Sequence, residues 1–482
     1  MREHVTDYIF YRWRYVVGYS LMIAIIASVL LIAFFFVPGE LRQGEMDAAV
    51  KSVSLSYKYI TPEMVVDLPY HVLQRMTIDL LGFSTLTIKL PSLVLGMFTA
   101  VGFFFLVKLW FRSNVAIFAT LLAATSTQFI FMSQDGTPLI MYTFLSVWLL
   151  LAGTMVTRQK IFGTLWKVLV CVFTATLLYS PLGVYLVIAV LTTMIFHPHI
   201  RFVVRRLQPT KVAIAIVLGL GAVVPLLYAS VIDSNVGLAL LGIPTGDILF
   251  RQNIMTVIKD VFGFSVESSS YYLRPFYSLG AFLLIAVGTF KLLTQKYTAR
   301  SYIIFAWGLL LVPFIIMIPA HVHALYVIFS LLIALGIATL IADWYKLFPR
   351  NPYARVIGLV PLSIIVLGIM VSGVMRYMNN YQYNGAVLSN YSKDLVLFKN
   401  ELANYSNSSD KVLLVTSERE RPFYTAAAKY DTRFIVVATN PKKPGAVFVT
   451  RAVHSSTAQQ TVPHRIVTNS RANDADRFYI YK

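Results

Sequence analysis

Glu45 and Asp47 stand two residues apart, about eight residues beyond the first long apolar run of the chain. A carboxylate at the boundary between a membrane bundle and water can take a proton from a hydroxyl or hold a cation. Four further groups of polar residues fall at comparable boundaries: Asp67, Tyr70 and His71 in DLPYH, Asp135 in SQDGTP, Arg274 before an apolar run, and His321 with His323 in HVH. Taken singly, each has an ordinary structural use. Asp47 and Asp67 can open helices over Ala48–Tyr57 and Leu68–Leu81, the second with Pro69 in its first turn. Asp135 can be a turn residue, and the two histidines interfacial side chains. Together they are acids and cations brought from distant parts of the chain to one face, as transfer chemistry on a lipid phosphate requires. One carboxylate must accept the proton of an attacking hydroxyl, and cationic groups must hold the phosphate that leaves.

The elements that must position these residues are membrane spans. Of 482 residues 57% are hydrophobic and only 13% charged, and the mean hydropathy is +0.69, which marks a polytopic membrane protein. Eleven apolar runs are predicted to cross: 15–37, 90–110, 116–132, 139–156, 166–178, 182–196, 212–232, 276–293, 302–318, 324–342 and 356–374. The first is too long for a signal-peptide core and has no small-residue cleavage site. With loops placed alternately, one side carries 18 Lys and Arg against 3 acids and the other 8 against 11. The positive-inside rule then puts the N-terminus in the cytoplasm and the tail outside, in the compartment of the Glu45–Lys89 loop. The net charge of +19 is thus mostly topology and does not imply nucleic acid. A single cysteine, Cys171, excludes an intramolecular disulfide and an ordinary thiol-ligated metal site.

Residues 1–375 therefore read as the transmembrane domain, with outer loops at 38–89 and 233–275, and 376–482 as a small α/β domain outside the cytoplasm. In the tail, KVLLVT from Lys411, RFIVVA from Arg433, AVFVT from Ala446 and RFYIY from Arg477 read as strands, and Pro422 to Tyr430 as a helix. Asn440-Pro441 and Lys442 to Gly445 supply turns, and the tail holds no Gly-rich phosphate loop, metal-ligand spacing or nucleophile elbow. Asn390, Asn404 and Asn407 head Asn-X-Ser triplets that matter only in a glycosylating host. The second outer loop carries GLALLGIP and IMTVIKDVFGF, suited to lying in the interface.

An acid-bearing outer loop, then Asp67-Leu-Pro-Tyr-His-Val-Leu, Leu81-Gly82-Phe83-Ser84 and Ile88-Lys89-Leu90-Pro91-Ser92-Leu93, resembles the GT-C membrane glycosyltransferases. The nearest subgroups are the protein O-mannosyltransferases and the bacterial lipid A aminoarabinose transferases. The resemblance implies an all-α polytopic bundle of GT-C type and a hexosyltransferase that moves sugar from a polyprenyl-phosphate donor to an outer acceptor hydroxyl with inversion. The acceptor class stays open between protein, glycolipid and wall polymer. The resemblance implies that Asp47 matches the catalytic acid, although the family's adjacent Asp-Glu pair is here Glu45-Met46-Asp47, which leaves both acids competing for the base role. Asp67, Tyr70, His71, Asp135 and His321 line the implied substrate site, and His323, in His321-Val-His323-Ala-Leu-Tyr326, and Arg274 are the implied phosphate ligands. The family's frequent Arg before the fourth span is replaced by Gln134-Asp135-Gly136-Thr137. A divalent ion could sit on Glu45, Asp47 and Asp67, but Arg and His alone can serve a phosphate leaving group, so the cofactor stays open with a metal the less favoured option. A transporter or lipid flippase would instead place charges within broken midplane helices, and these runs hold almost none. A non-catalytic partner of an envelope assembly is the third class, if Asp47 only caps a helix.

Overall fold

The structure is a computed structural model and describes residues 13–36, 40–56, 61–158, 163–263, 273, 276–295, 298–348, 352–405, 411–438, 446–454, 462–469 and 475–481. Each of the eleven apolar runs is helical. Helix α1 (Arg14–Phe36) leads through a two-residue strand β1 (Leu41–Arg42) to the outer-loop helices α2 (Gln43–Ser54) and α3 (Leu68–Leu81). The bundle continues with α4 (Thr85–Trp110), α5 (Ser113–Ala124), α6 (Thr127–Gln134), α7 (Leu139–Thr157), α8 (Gly163–Leu177), α9 (Gly183–Phe196), α10 (Pro198–Arg205) and α11 (Pro209–Ile232). After the loop helices α12 (Ser234–Leu241) and α13 (Phe250–Phe262) come α14 (Leu279–Thr294), α15 (Ala299–Met317), a 3₁₀ segment (Pro319–Leu325), α16 (Tyr326–Leu347) and α17 (Pro352–Tyr383).

Among the described residues seven helices are long and apolar enough to cross a membrane, or nine if the bent pairs α5/α6 and α9/α10 each count as one span. The bends are 62° and 90°. The other two apolar runs form helices of 15 and 16 residues, α8 and α14. Helix α14 nonetheless packs intimately, because Gly288 faces Gly336 of α16: a Cβ at Gly288 would lie 2.0 Å from the Leu332 carbonyl oxygen, and one at Gly336 2.2 Å from that of Leu284. Small residues at such a crossing let two backbones touch where lipid offers no hydrophobic drive.

The last span runs on to Tyr383, nine residues beyond the apolar run that announced it. The chain then forms β2 (Tyr391–Ser392), α18 (Asp394–Tyr405), β3 (Val412–Val415), α19 (Arg421–Ala428), β4 (Phe434–Val437), β5 (Val447–Thr450), β6 (Arg465–Thr468) and β7 (Asp476–Tyr481). The five-stranded sheet has the order β4-β3-β5-β7-β6, parallel among the first three strands and antiparallel at the β5-β7-β6 edge. Four of these strands match the sequence reading; β6 does not, because its residues are mostly exposed and show no inward-facing alternation. Asn440 to Gly445 and Asn407 lie outside the described residues.

The tail is joined to the loop between α1 and α4 rather than merely placed beside it. β1 pairs antiparallel with β2, Leu41 opposite Ser392 and Arg42 opposite Tyr391. One apolar core then runs from Leu41, Ala49, Val53 and Ile78 of the outer loop to Phe398, Phe423 and Phe448 of the tail.

Candidate functional site

Helix α2 starts five residues earlier than Asp47 would have started it. Its N-cap is Arg42, whose extended backbone comes from the β1–β2 pairing, and Glu45 reaches back to accept the Arg42 backbone N–H at 2.7 Å. Asp47 is therefore a helix-interior residue and caps nothing. Two residues along a helix turn a side chain through about 200°, so Glu45 and Asp47 leave α2 on opposite sides.

Glu45 points inward and is fully buried. Besides Arg42 N–H it accepts the Gly136 N–H at 2.7 Å and faces the Lys89 ammonium at 3.2 Å. Burial alone would push this carboxyl up, but Lys89, Arg42 and the two backbone donors outweigh it and hold it below the usual carboxylate range. Beside it the Arg42 guanidinium donates to Asp135 and lies 4.7 Å over the Phe131 ring. Asp135 also accepts from the Thr137 hydroxyl. Burial pushes the Asp135 carboxyl up to about 6 against the pull of Arg42, with Glu45 adding to the rise. Two cations and two anions thus form one closed, buried group contributed by β1, α2, α4 and the turn after α6. Such a group is tolerable because every charge is paired, and Arg42, Glu45 and Asp135 are hydrogen-bonded as well. Tyr391 of β2 roofs it, 5.8 Å from the Arg42 guanidinium and 5.7 Å from the Lys89 ammonium.

A second network holds the outer-loop helices to the bundle. His71 shares a hydrogen bond with the Ser52 hydroxyl at 2.8 Å, Ser52 donates to Gln74 at 2.6 Å, and Gln74 donates to the Ile88 and Gly136 carbonyls at 2.8 Å each. Burial and then Lys51 pull His71 down to about 3, so it is neutral. Tyr70 is fully buried and hydrogen-bonds Ser92 at 2.8 Å. Both residues are struts between α2, α3 and α4. Asp67 precedes α3 with φ 57° and ψ 24° and its side chain caps no N–H, so the simple N-cap role expected of it is not what it does. Burial pushes its carboxyl up to about 7 against the nearby Lys51 ammonium. An aspartate held in the left-handed region is a local strain of the kind that gathers at functional sites.

Asp47 is exposed, accepts from Gln43 at 2.8 Å, and lines a cleft of about 440 Å³ between α2 and the tail, together with Lys51, Arg419 and the Asp394–Arg477 pair. His321 and His323 lie in the 3₁₀ segment, ring centroids 6.1 Å apart, with His323 against Tyr142. Among the described residues, no hydrogen bond or ion pair joins either to the carboxylates. Arg274 lies outside the described residues. No three His, Cys, Asp or Glu side chains converge as metal ligands do among those described.

Sequence reasoning missed several residues here. Arg42 and Lys89 are the cations of the buried group. Glu40, 4% exposed, pairs with Lys393 of the tail at 3.0 Å. At the tail-side end of α17, Arg376, Tyr377 and Asn380 each bury a polar side-chain atom without a hydrogen-bond partner among the described residues. Tyr377 and Tyr381 on that helix are in electrostatic reach of Glu45 and Asp135, and Tyr381 hydrogen-bonds Tyr391. The signal for these residues was the polar stretch RYMNNYQY directly after the last apolar run, which read as the start of the tail.

The family profile described as dolichyl-phosphate-mannose-protein mannosyltransferase matches residues 69–228. No curated protein matches the chain by sequence. Among solved structures, ArnT from Cupriavidus metallidurans bound to undecaprenyl phosphate superposes over 96% of this chain and 97% of its own, at 14% identity and a TM-score of 0.55. The Archaeoglobus fulgidus oligosaccharyltransferase in its apo form matches over 91% of this chain and 66% of its own, at 11% identity and a TM-score of 0.50. With its helical bundle and strand-containing C-terminal domain, the chain has the GT-C fold of the ArnT type.

Proposed function

We propose that the protein is a membrane glycosyltransferase that moves a sugar from a polyprenyl-phosphate donor to a hydroxyl on the outer face. The mannosyltransferase profile and the shared fold with ArnT, seen there with undecaprenyl phosphate, support the donor class. The observation that carries the reading is the end of α17, where buried side-chain nitrogens of Arg376 and Asn380 lack hydrogen-bond partners among the described residues and the intervening Tyr377 is in electrostatic reach of Glu45 and Asp135. Buried donors without partners call for a ligand with acceptor oxygens, and a phosphate at the head of a membrane-embedded lipid is one.

In this reading Lys89 and Arg376 hold the phosphate, and Tyr377 and Asn380 orient it. The acceptor O–H gives its proton to a carboxylate, its oxygen bonds to the anomeric carbon, and the C–O bond to phosphate breaks, the phosphate leaving with the electron pair. Charge grows on the phosphate in the transition state, so fixed cations there lower the barrier more than they tighten binding. Asp135 is the carboxylate beside these groups, and an acid near 6 is ionised yet basic at neutral pH. A second assignment keeps Asp47 as the base, because it alone of these acids opens on the cleft, where Lys51 and Arg419 would face the phosphate. The two are exclusive, since α2 separates them by its own width of roughly 10 Å.

The test is sugar transfer from a lipid-linked donor by purified variants. Asp135→Asn is expected to lower turnover about 10²–10⁴-fold, and the residual activity to lack the acid limb of kcat/KM near pH 6. Loss of turnover in Asp47→Asn, with Asp135→Asn active, would move the chemistry to the cleft. Turnover unaffected by both substitutions and by Arg376→Gln would refute both site assignments, and absence of sugar transfer by the wild-type protein would end the transferase reading.

A further inference from the structure

A large cavity lies away from the carboxylates. It measures about 650 Å³ and is lined by Arg112, Lys291, Arg300 and Lys346, with Trp110 and Tyr345 among its walls. Helix α4 fixes its place. Lys89 of the buried charged group and Trp110 stand at opposite ends of that helix, 21 residues apart, which at 1.5 Å per residue is roughly 31 Å, the thickness of a hydrocarbon core. The cavity therefore opens at the other membrane face, the one that the charge bias assigns to the cytoplasm.

We infer that this cavity binds the phosphodiester headgroup of an anionic phospholipid. Its cations come from separate elements: Arg112 from the α4–α5 turn, Lys291 from α14, Arg300 from α15 and Lys346 from α16. A positive-inside bias needs basic residues only somewhere in the loops, whereas these four share one concave wall. Arg300 is held in position, donating to the Trp110 carbonyl at 2.8 Å with its guanidinium 4.6 Å over Phe111. Lys346 pairs at 2.8 Å with exposed Asp343, the acid beside the cavity. The Arg112 side chain has no hydrogen bond or ion pair among the described residues and Lys291 is in electrostatic reach of that same Asp343, so four cations face one acid and the cavity keeps a surplus of positive charge. Four cations gathered in one recess repel each other, and an anion seated between them relieves that cost.

A second cavity, of about 440 Å³, explains why the ligand is a lipid rather than a free anion. It shares Trp110 and Arg300 with the first, and its walls are mainly apolar, with Leu149, Leu150, Val170, Val190 and Ile303, although Arg158 and His199 also line it. A charged recess that continues into an apolar one matches a headgroup followed by an acyl chain. Basic pockets between membrane helices on the cytoplasmic side are sites of this kind.

The experiment is lipid binding to the full-length, delipidated protein in detergent, read by native mass spectrometry and by the thermal midpoint. Phosphatidylglycerol is expected to remain bound and to raise the midpoint, and phosphatidylcholine to do neither. Arg112→Gln with Lys291→Gln should weaken phosphatidylglycerol binding roughly 30-fold, two cations' worth at a membrane surface. Arg112→Lys with Lys291→Arg should retain it, which separates lost charge from a damaged fold. Equal binding of the two lipids, or binding untouched by the charge-removing pair, would overturn the proposal. A midpoint rise as large with inorganic phosphate would make this a free-anion site and overturn the lipid assignment. None of these readouts depends on sugar transfer.

Discussion

Glu45→Gln is the sharpest probe of the buried charged group. The substitution keeps the shape of the side chain but removes its charge, so Lys89 loses a partner at 3.2 Å while both stay almost wholly inaccessible to water. The amide oxygen can still accept one backbone N–H, from Arg42 or from Gly136, and its NH₂ then opposes the other. Removing one partner of a buried ion pair costs about 3–5 kcal/mol, because a desolvated charge is left uncompensated. Adding Lys89→Met removes that charge too, and what remains is mainly one orphaned backbone donor, worth about 1–3 kcal/mol. The double variant should therefore be more stable than the single one by about 2 kcal/mol, a negative coupling that pairs in contact produce. The assay is equilibrium unfolding in mixed detergent and SDS, followed by tryptophan fluorescence and circular dichroism. The pH sign follows from the same contacts. Because Glu45 is held below its ordinary range, its contribution is present at neutral pH and is lost on acidification, so wild type and Glu45→Gln should converge in acid. A loss under 1 kcal/mol for Glu45→Gln, or a double variant as unstable as the sum of its singles, would refute the closed-group account.

Asp67→Asn should act with the opposite pH sign. Its carboxyl is raised to about 7, so ionising it opposes folding, and wild-type stability should fall as pH rises through 7 while the Asn variant stays level. After discount for its partial exposure the difference at pH 8 should be about 1–2 kcal/mol, measured as the gap between the two pH profiles. Gly288→Leu forces a side chain into the Leu332 carbonyl and should destabilise the α14–α16 contact by at least about 1–3 kcal/mol, visible as a lowered thermal midpoint in detergent. Tyr391→Ala removes the roof over Arg42 and Lys89 and the partner of Tyr381, and should cost about 3 kcal/mol by the same unfolding assay.

The helical bundle was legible because every apolar run announces itself by length and composition, and all eleven are helices. The bends were not, since Thr125–Ser126 and His197 interrupt their runs too briefly to split them by hydropathy. The acids of the outer loop were legible as a group, yet their division of labour was not. Whether Glu45 or Asp47 faces inward depends on where α2 begins, and that is set by a strand pairing with residues about 350 positions later. The Arg42–Asp135 pair spans 93 residues, and nothing local to either residue marks the other. Arg376, Tyr377 and Asn380 were hidden by the hydropathy pattern itself, which ends the span at Val374 while the helix continues to Tyr383.

The same strand pairing changes what the tail is for. A cap would touch the outer loop through replaceable surface contacts, but here Tyr391 stacks over both cations of the buried group and Lys393 neutralises Glu40. Phe398 and Phe423 share an apolar core with Ala49 and Val53, the residues that hold α2 in place. Helix α2 has 12 residues, shorter than an isolated helix needs to persist in water, so its orientation depends on what packs against it. Glu45 points at Lys89 and Asp47 at the cleft only while the tail grips that helix. The C-terminal segment is therefore a positioning element of the site, and the cleft that α2 shares with it exists only where the two meet.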